Sequence, residues 1–113
     1  MENPRKIRWE DQELVEARPG IFGATVQTPQ LTAILYRYEP GSSWEEHSHP
    51  QDQFTMVLEG TVDFVVAGEP VRLGAGEAAA LPGGTPHSAT VGAEPAVTIN
   101  VLTSRDRPPA PDA

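Results

Sequence analysis

Two of the chain's three histidines stand close together in the stretch HSHPQDQ. His47 and His49 are separated by one residue, and Gln53 follows four positions after His49. Because side chains alternate between the two faces of a β-strand, both imidazoles project to the same side, about 7 Å apart along the backbone. Gln53 joins that face if the strand continues through Pro50. Two imidazoles at this spacing are suited to chelating one metal ion.

The third histidine, His87, follows the stretch LPGGTP, a Pro/Gly loop that can aim it from a neighbouring strand. If it joins the other two, every histidine in the chain serves one site. An isolated His-X-His pair is more often a solvated surface feature, and a lone histidine at a strand end can simply cap that strand. The metal prediction therefore depends on the wider pattern around these residues.

The elements that must position these side chains are mainly short strands. Strands are predicted at 21–27 and at 31–38, and a hairpin of two strands is predicted to turn at Glu59-Gly60. The segment 78–87 is predicted to be a short strand that runs into a Pro/Gly loop, and 88–103 to hold two strands around a turn at Ala93-Glu94. One helix is predicted at 9–17, in WEDQELVEA, which RPG ends. Short strands with turn signals every 8–12 residues or so are typical of a small all-β sandwich or barrel.

Length and composition limit the class of protein. The 113 residues suffice for one domain, and the absence of cysteine excludes a disulfide scaffold, a thiolate zinc site and a cysteine nucleophile. A net charge of −8 disfavours nucleic acid and anionic membranes as partners. No apolar run of the sequence matches a signal peptide or a membrane span, so a cytoplasmic protein is expected.

Two spaced motifs surround the histidines, and they consist of Gly41, His47, His49, Gln53 and Gly60, then Gly76, Pro82, Gly84 and His87. Residues 61–75 separate them. This pattern closely resembles the two signature motifs of the cupin superfamily, in the short spacing of its single-domain, RmlC-like bacterial members. Gln53 stands where most cupins carry Glu, and Val91 stands where the second motif often ends in Asn.

The resemblance implies a fold and a ligand set. It implies a small conical double-stranded β-helix, a jelly-roll-like barrel of two antiparallel sheets. One such domain would span 1–107, with a metal-binding core at about 36–103 and a flexible Pro/Ala-rich tail at 108–113. One divalent metal would be held inside the barrel by His47, His49, Gln53 and His87. Nickel, zinc, manganese and ferrous iron all suit imidazole and amide ligands.

A glutamine in place of a glutamate changes the expected chemistry. Three imidazoles and one amide leave the full charge of a divalent ion uncompensated, which favours Lewis-acid chemistry on a carbonyl or hydroxyl oxygen. The expected function is therefore an isomerase, lyase or cyclase acting on a small oxygen-rich molecule. Two alternatives stay open: an iron(II)-dependent dioxygenase, and a cupin that binds a metabolite or metal without turnover.

Among single-domain cupins the chain is most similar to the small proteins of pectin and alginate degradation, which linearise unsaturated monouronates. HSHPQDQ and the AGEPVRLGAGEA hairpin carry this similarity. In that group an Asp on the last strand and an Arg just after it are associated with catalysis. Here Asn100 replaces the Asp, and Arg105 or Arg107 is one position out of step with the Arg. An amide cannot act as a general base.

Other residues are candidates for moving protons. Glu45 lies two positions before His47, so on a regular strand it shares the same face and is a candidate acid or base. Alternatively, Glu45 and Glu46 form a solvated pair at the barrel mouth. Asn100 is a candidate for orienting a substrate carbonyl, or a polar strand residue with an internal partner.

A further set of candidates lies on the strand LTAILYRY. Tyr36 and Tyr38 share one face and Arg37 takes the other, so either the tyrosines or the arginine line the cavity. Parity alone leaves that choice open, and cross-strand packing is an equally good explanation for these residues. Arg105 is the remaining candidate for substrate binding.

The pattern of QFTMVLEG also predicts assembly. Phe54 and Leu58 alternate with Thr55 and Val57, so both faces of this strand carry apolar side chains. The barrel interior covers one face, and the other needs either the N-terminal strand or a second subunit. Because cupins of this size commonly pair sheet to sheet, a homodimer is expected.

Overall fold

The computed structural model describes residues 4–103, and nearly all their regular structure is β-strand. The last predicted segment, with Arg105, Arg107 and the tail at 108–113, lies outside the described residues. The strands are β1 Val15–Arg18, β2 Ile21–Gln27, β3 Leu31–Tyr38, β4 Ser43–His47, β5 Gln53–Glu59, β6 Thr61–Val66, β7 Glu69–Gly74, β8 Ala78–Leu81, β9 His87–Thr90 and β10 Ala96–Thr103.

The strands form two antiparallel sheets. The six-stranded sheet has the order β1-β2-β3-β10-β5-β8, and the four-stranded sheet has the order β4-β9-β6-β7. Strand β10 is the last in the chain, yet it lies between β3 and β5 and pairs with both. The predicted all-β, jelly-roll-like arrangement of two antiparallel sheets is therefore confirmed. Within the described part of the chain, no helix is of a length and apolarity that would cross a membrane.

The predicted helix at 9–17 is wrong. Only Trp9–Asp11 forms a single 3₁₀ turn, and the residues after it become β1. Val15 pairs with Gly23 across a tight connection to β2, so strand pairing satisfies backbone groups that a short helix would leave open. A helix of nine residues or so is too short to repay its nucleation without a packed apolar face, and this segment is largely exposed.

The predicted turns are confirmed where they fix the register. β5 and β6 meet at Gly60, which has a φ of 77°. A side chain there would also run into the carbonyl oxygen of Pro95, so glycine is required on two grounds. β9 and β10 lie on either side of the predicted turn at Ala93-Glu94.

The hydrophobic core occupies one end of the strands and leaves the other for the site. Val57 and Val62 are 0% exposed and pack with Ala96 at the end of β10 near the Gly60 turn. Further along β10 the same inner face carries Thr98 and then Asn100. Because inner-facing positions recur every second residue, the strands that build the core also deliver polar side chains to the opposite end.

Candidate metal centre

The three histidines converge inside the fold. His47 ends β4, His49 lies in the loop that follows, and His87 begins β9, directly paired with His47. One ligand nitrogen from each ring lies within 4.8 Å of the others. The ring centroids of His47 and His87 are 4.3 Å apart, and those of His49 and His87 are 5.1 Å apart. The three histidines therefore lie together, as the sequence predicted.

Each ring is held by its Nδ1 atom against a backbone carbonyl. The distances from Nδ1 to oxygen are 2.8 Å for His47 to Glu45, 3.0 Å for His49 to Gln51 and 2.8 Å for His87 to Thr85. A carbonyl oxygen can only accept, so each Nδ1 carries the proton and donates it. In the neutral ring this leaves the lone pair on Nε2, the form in which an imidazole binds a metal.

The environment of His87 favours that neutral form. Burial lowers the pKa of His87, the Thr85 carbonyl raises it, and the nearby rings of His47 and His49 lower it again, with a net shift below the ordinary histidine value. Its Nε2 atom is buried and has no hydrogen-bond partner among the described residues. A buried, unpartnered nitrogen beside two similar nitrogens fits a metal ligand, because a bound ion would satisfy it.

Gln53 reaches the cluster from the other sheet. Its Oε1 lies 2.9 Å from His49 Nε2, and because that ring is protonated at Nδ1, both atoms offer lone pairs there, as two ligands of one ion would. Its Nε2 donates to Thr55 Oγ1 over 2.7 Å. The condition that the strand continues through Pro50 is not met, since β4 ends at His47 and Gln53 opens β5 of the six-stranded sheet. The amide arrives beside the imidazoles because the two sheets face each other, so the cluster bridges them.

A β-bulge in β4 decides which side chains face inward. Trp44 pairs with Ala89 and His47 pairs with His87, so the two residues between them on β4 oppose a single residue on β9. The bulge brings Trp44 and His47 to the same interior, against strict alternation. Glu45 is exposed and is not among the cavity-lining residues, so the prediction that it shares the inner face with His47 is wrong.

A cavity of ≈ 160 Å³ adjoins the histidines. Tyr36 and Tyr38 both line it, which resolves the open question about β3 in favour of the tyrosines. Arg37 is exposed on the other face, where its guanidinium carbon lies 5.5 Å from the centre of the Phe22 ring. Asn100 also lines the cavity, as predicted for a residue that contacts a substrate.

Sequence reasoning missed Trp44. Its ring lines the cavity, and its centroid lies 5.3 Å from that of Tyr36 and 5.7 Å from that of His47. The available signal was an aromatic residue three positions before a candidate ligand. Regular alternation assigns that residue to the opposite face, and only the bulge reverses the assignment.

The fold and the site together define a small all-β barrel protein with a polar cluster of imidazoles at one end of its interior. A family model described as "Cupin domain" matches residues 34–102, which contain every residue of this cluster. The chain therefore belongs to the cupin family, as the two spaced motifs predicted.

Solved structures agree with this assignment. KdgF from Halomonas sp. is similar at 26% identity and a TM-score of 0.85, over 91% of this chain and 96% of that one. An RmlC-like cupin from Shewanella frigidimarina gives 21% identity and 0.84, over 92% and 95%. A sugar phosphate isomerase of the cupin superfamily from Silicibacter pomeroyi gives 23% and 0.78, over 88% and 76%. A comparison with curated protein sequences gives no match.

Proposed function

We propose that this cupin holds one divalent metal ion through His47, His49 and His87, with Gln53 beside them, and acts on a small oxygen-rich molecule as an isomerase, lyase or cyclase. The observation that carries the proposal is the convergence of three imidazole nitrogens whose opposite nitrogens all donate to carbonyl oxygens. When bound, a divalent ion supplies Lewis-acid chemistry, polarising a carbonyl or hydroxyl oxygen.

The chain's own residues orient the histidine rings, exclude water and offer hydrogen bonds to a substrate. The carbonyls of Glu45, Gln51 and Thr85 orient the rings, so little reorganisation is needed when an ion enters. Aromatic side chains on the adjoining wall exclude water from the reacting group. Burial raises the pKa of Tyr38 to about 12, so its hydroxyl stays protonated and can only be a hydrogen-bond donor or a neutral acceptor at ordinary pH.

The neutrality of the site favours this class of reaction. None of the described residues that line the cavity is an aspartate or a glutamate, so the charge of a bound ion is left uncompensated. Asn100 occupies the position at which the similar uronate-linearising cupins carry an Asp, and its amide can bind a substrate but cannot remove a proton. The uronate reaction itself is therefore not proposed for this chain.

A second candidate function follows from the same observation. With no carboxylate to move protons among the described lining residues, the barrel also suits a protein that holds a metabolite or a metal without turnover. An iron(II)-dependent dioxygenase is a further candidate, because neutral imidazole ligands suit ferrous iron. Iron as the bound metal, together with oxygen consumption, would favour the dioxygenase.

The test is the metal content of untagged protein, measured by inductively coupled plasma mass spectrometry. About one equivalent of nickel, zinc, manganese or iron is expected per chain, with loss in His49→Ala. Glu45→Gln is the matched control, because its side chain is exposed while its carbonyl still holds His47. Retention of metal in His49→Ala, or absence of metal from the wild type after reconstitution, would refute the metal site.

Turnover needs its own measurement. Metal-loaded protein would be screened against cyclic hydroxy ketones and sugar acids by NMR, with oxygen consumption followed in parallel. Interconversion or elimination without oxygen uptake supports the isomerase or lyase, whereas saturable binding without conversion supports the non-catalytic reading.

We also propose a homodimer formed through the outer face of the six-stranded sheet. Leu31 is 49% exposed and Phe54 is 43% exposed on this face, and Phe54 lies opposite Val101 on one neighbouring strand and Ala80 on the other. These side chains line a shallow apolar groove. Covering such a face with a second copy would remove it from water.

A further inference from the structure

We infer that the cavity takes a single uncharged six-membered ring that carries one or two oxygen substituents, packed against Trp44 and Tyr36 with a hydroxyl group donating to Asn100. This inference rests on the proposed function, because it names the substrate class of the same site. Four features of the cavity carry it: its size, its lack of acidic and basic side chains, its aromatic wall and the unpartnered amide oxygen of Asn100.

Size limits the ligand to one ring. An apolar protein cavity of about 150 Å³ holds one benzene molecule. The cavity beside the histidines measures ≈ 160 Å³. A monocyclic molecule with one or two oxygens therefore fills it, whereas a disaccharide or a fused polycycle would have to remain largely outside.

The lack of charged side chains in this cavity makes it unsuited to a sugar acid. No arginine, lysine, aspartate or glutamate is among the described residues that line it, and Arg37 lies on the opposite face of β3. A carboxylate on the ring, away from the histidines, would lose its hydration without gaining a charged partner. An unpaired ion in a protein interior is strongly disfavoured, so such a ligand is expected to bind weakly.

The aromatic wall is built to keep its shape. The guanidinium carbon of Arg18 lies 5.0 Å from the centre of the Trp44 ring, and the edge of Trp44 meets Tyr36 at a centroid distance of 5.3 Å. Gly23 leaves room for Tyr36, because a Cβ atom at that position would lie 2.8 Å from the tyrosine Cε1. The two rings meet at an interplanar angle of 61°, so they form an angled apolar wall against which a bound ring can pack.

Asn100 supplies an unpartnered polar atom away from the histidines. It is 7% exposed, and its Oδ1 has no hydrogen bond within the described part of the chain. A buried amide oxygen without a donor is unfavourable, so a ligand that supplies an O–H group gains affinity on binding. Ring molecules that have many hydroxyl groups would leave most of them unsatisfied against the apolar wall.

The test is an NMR titration of ¹⁵N-labelled protein, metal-free and zinc-loaded, with phenol and with galacturonate as the probes. Phenol is expected to shift the Trp44 indole and Asn100 amide signals saturably, while the Trp9 indole signal serves as an internal reference. Galacturonate is expected to leave them unchanged in the metal-free protein, where no cation offsets its carboxylate. Asn100→Ala should weaken phenol binding about tenfold, and Trp44→Ala should weaken it at least as much. Arg37→Ala, on the other face of β3, is the matched control and should bind phenol normally.

The outcomes separate this inference from the proposed function. Zinc content is measured on the same samples, so stoichiometric zinc without a phenol-induced shift overturns the ring inference and leaves the metal site standing. Phenol binding without zinc uptake keeps the ring inference and removes the metal site. Saturable shifts with galacturonate that exceed those with phenol would show that the cavity is built for a sugar acid. A normal, dispersed spectrum for each variant verifies folding, and Trp44→Leu replaces Trp44→Ala if the latter fails to fold.

Discussion

Asp52 accepts a hydrogen bond from the backbone N–H of Gly83 over 2.7 Å, across 31 positions of sequence. Beside it, the Gly84 N–H donates to the carbonyl oxygen of His49 over 2.8 Å. The loop that carries His49 is thereby joined to the loop that leads into His87. Two histidines from separate motifs are held in register by hydrogen bonds that involve neither imidazole.

Removing the Asp52 carboxylate should weaken metal binding without removing a ligand. Asp52→Ala leaves the Gly83 N–H without its acceptor and loosens both loops. Zinc affinity, measured by competition with a chelator, is expected to fall roughly 10- to 100-fold, the usual effect of losing a partner behind the ligands. Asp63→Ala is the control, because Asp63 pairs with Arg72 on the exposed β6–β7 hairpin. An equal loss in both variants would show a general charge effect instead.

Gly83 should not tolerate a side chain. A Cβ atom there would overlap the carbonyl oxygen of Pro50, so Gly83→Ala must displace one of the two loops. We expect a loss of roughly 1–3 kcal/mol in the free energy of unfolding, together with reduced zinc affinity. Gly92→Ala is the matched control, since a Cβ atom at Gly92 meets nothing within 4 Å. Urea unfolding of both variants measures the difference, and equal stability would contradict the close approach.

Gln53→Glu should strengthen metal binding while weakening the Lewis acid. The carboxylate replaces an amide oxygen that lies 2.9 Å from His49 Nε2, so it adds a negative charge next to the cluster. Zinc affinity is expected to rise on the order of tenfold, and any turnover to fall, because the ligand offsets part of the ion's charge. Gln51→Glu adds the same charge in the adjacent loop and should change affinity much less. Unchanged affinity in Gln53→Glu would remove Gln53 from the ligand set.

Tyr38 should make stability decline in strong base. Burial raises its pKa from 10.0 to about 12. Below about pH 10 the folded and unfolded states both keep the proton, so the contribution is fully present. Between about pH 10 and 12 the unfolded chain releases the proton first, so the free energy of unfolding falls as pH rises, by up to about 3 kcal/mol.

Urea unfolding over this pH range measures that decline. Tyr38→Phe should flatten it, and Tyr36→Phe, which keeps the buried hydroxyl of Tyr38, should preserve it. A decline of the same steepness in Tyr38→Phe would assign the effect to other groups.

The outer face of the six-stranded sheet should control assembly. Light scattering is expected to give about twice the 12.2 kDa mass of the chain. Phe54→Glu places a charge in the middle of the apolar groove and should yield a monomer. Val65→Glu is the matched control, as Val65 is an exposed side chain (37%) of the other sheet. A monomeric wild type would refute the proposed dimer.

Much of the fold could be predicted from the sequence because its signals are local. Alternation along QFTMVLE puts Phe54 on the face opposite Thr55 and Val57, and the structure buries the latter two and exposes Phe54. Gly60 marks the hairpin because the turn needs a positive φ and leaves no room for a side chain. The prediction of a helix at 9–17 failed because the weak local preference for helix competes with strand pairing to β2. That pairing joins two segments, so a local sequence pattern does not reveal it.

For the site, the sequence by itself determined which residues are available for chemistry: three histidines, one amide where a carboxylate is usual, and no thiol. Their spacing indicated the family, and the family match over residues 34–102 confirms it. Only the tertiary structure decided that His47 and Gln53 come from different sheets, that Trp44 faces inward and that Glu45 does not. The physical reason is that a one-residue bulge reverses the facing of every side chain after it, and such a bulge arises from the pairing of distant strands.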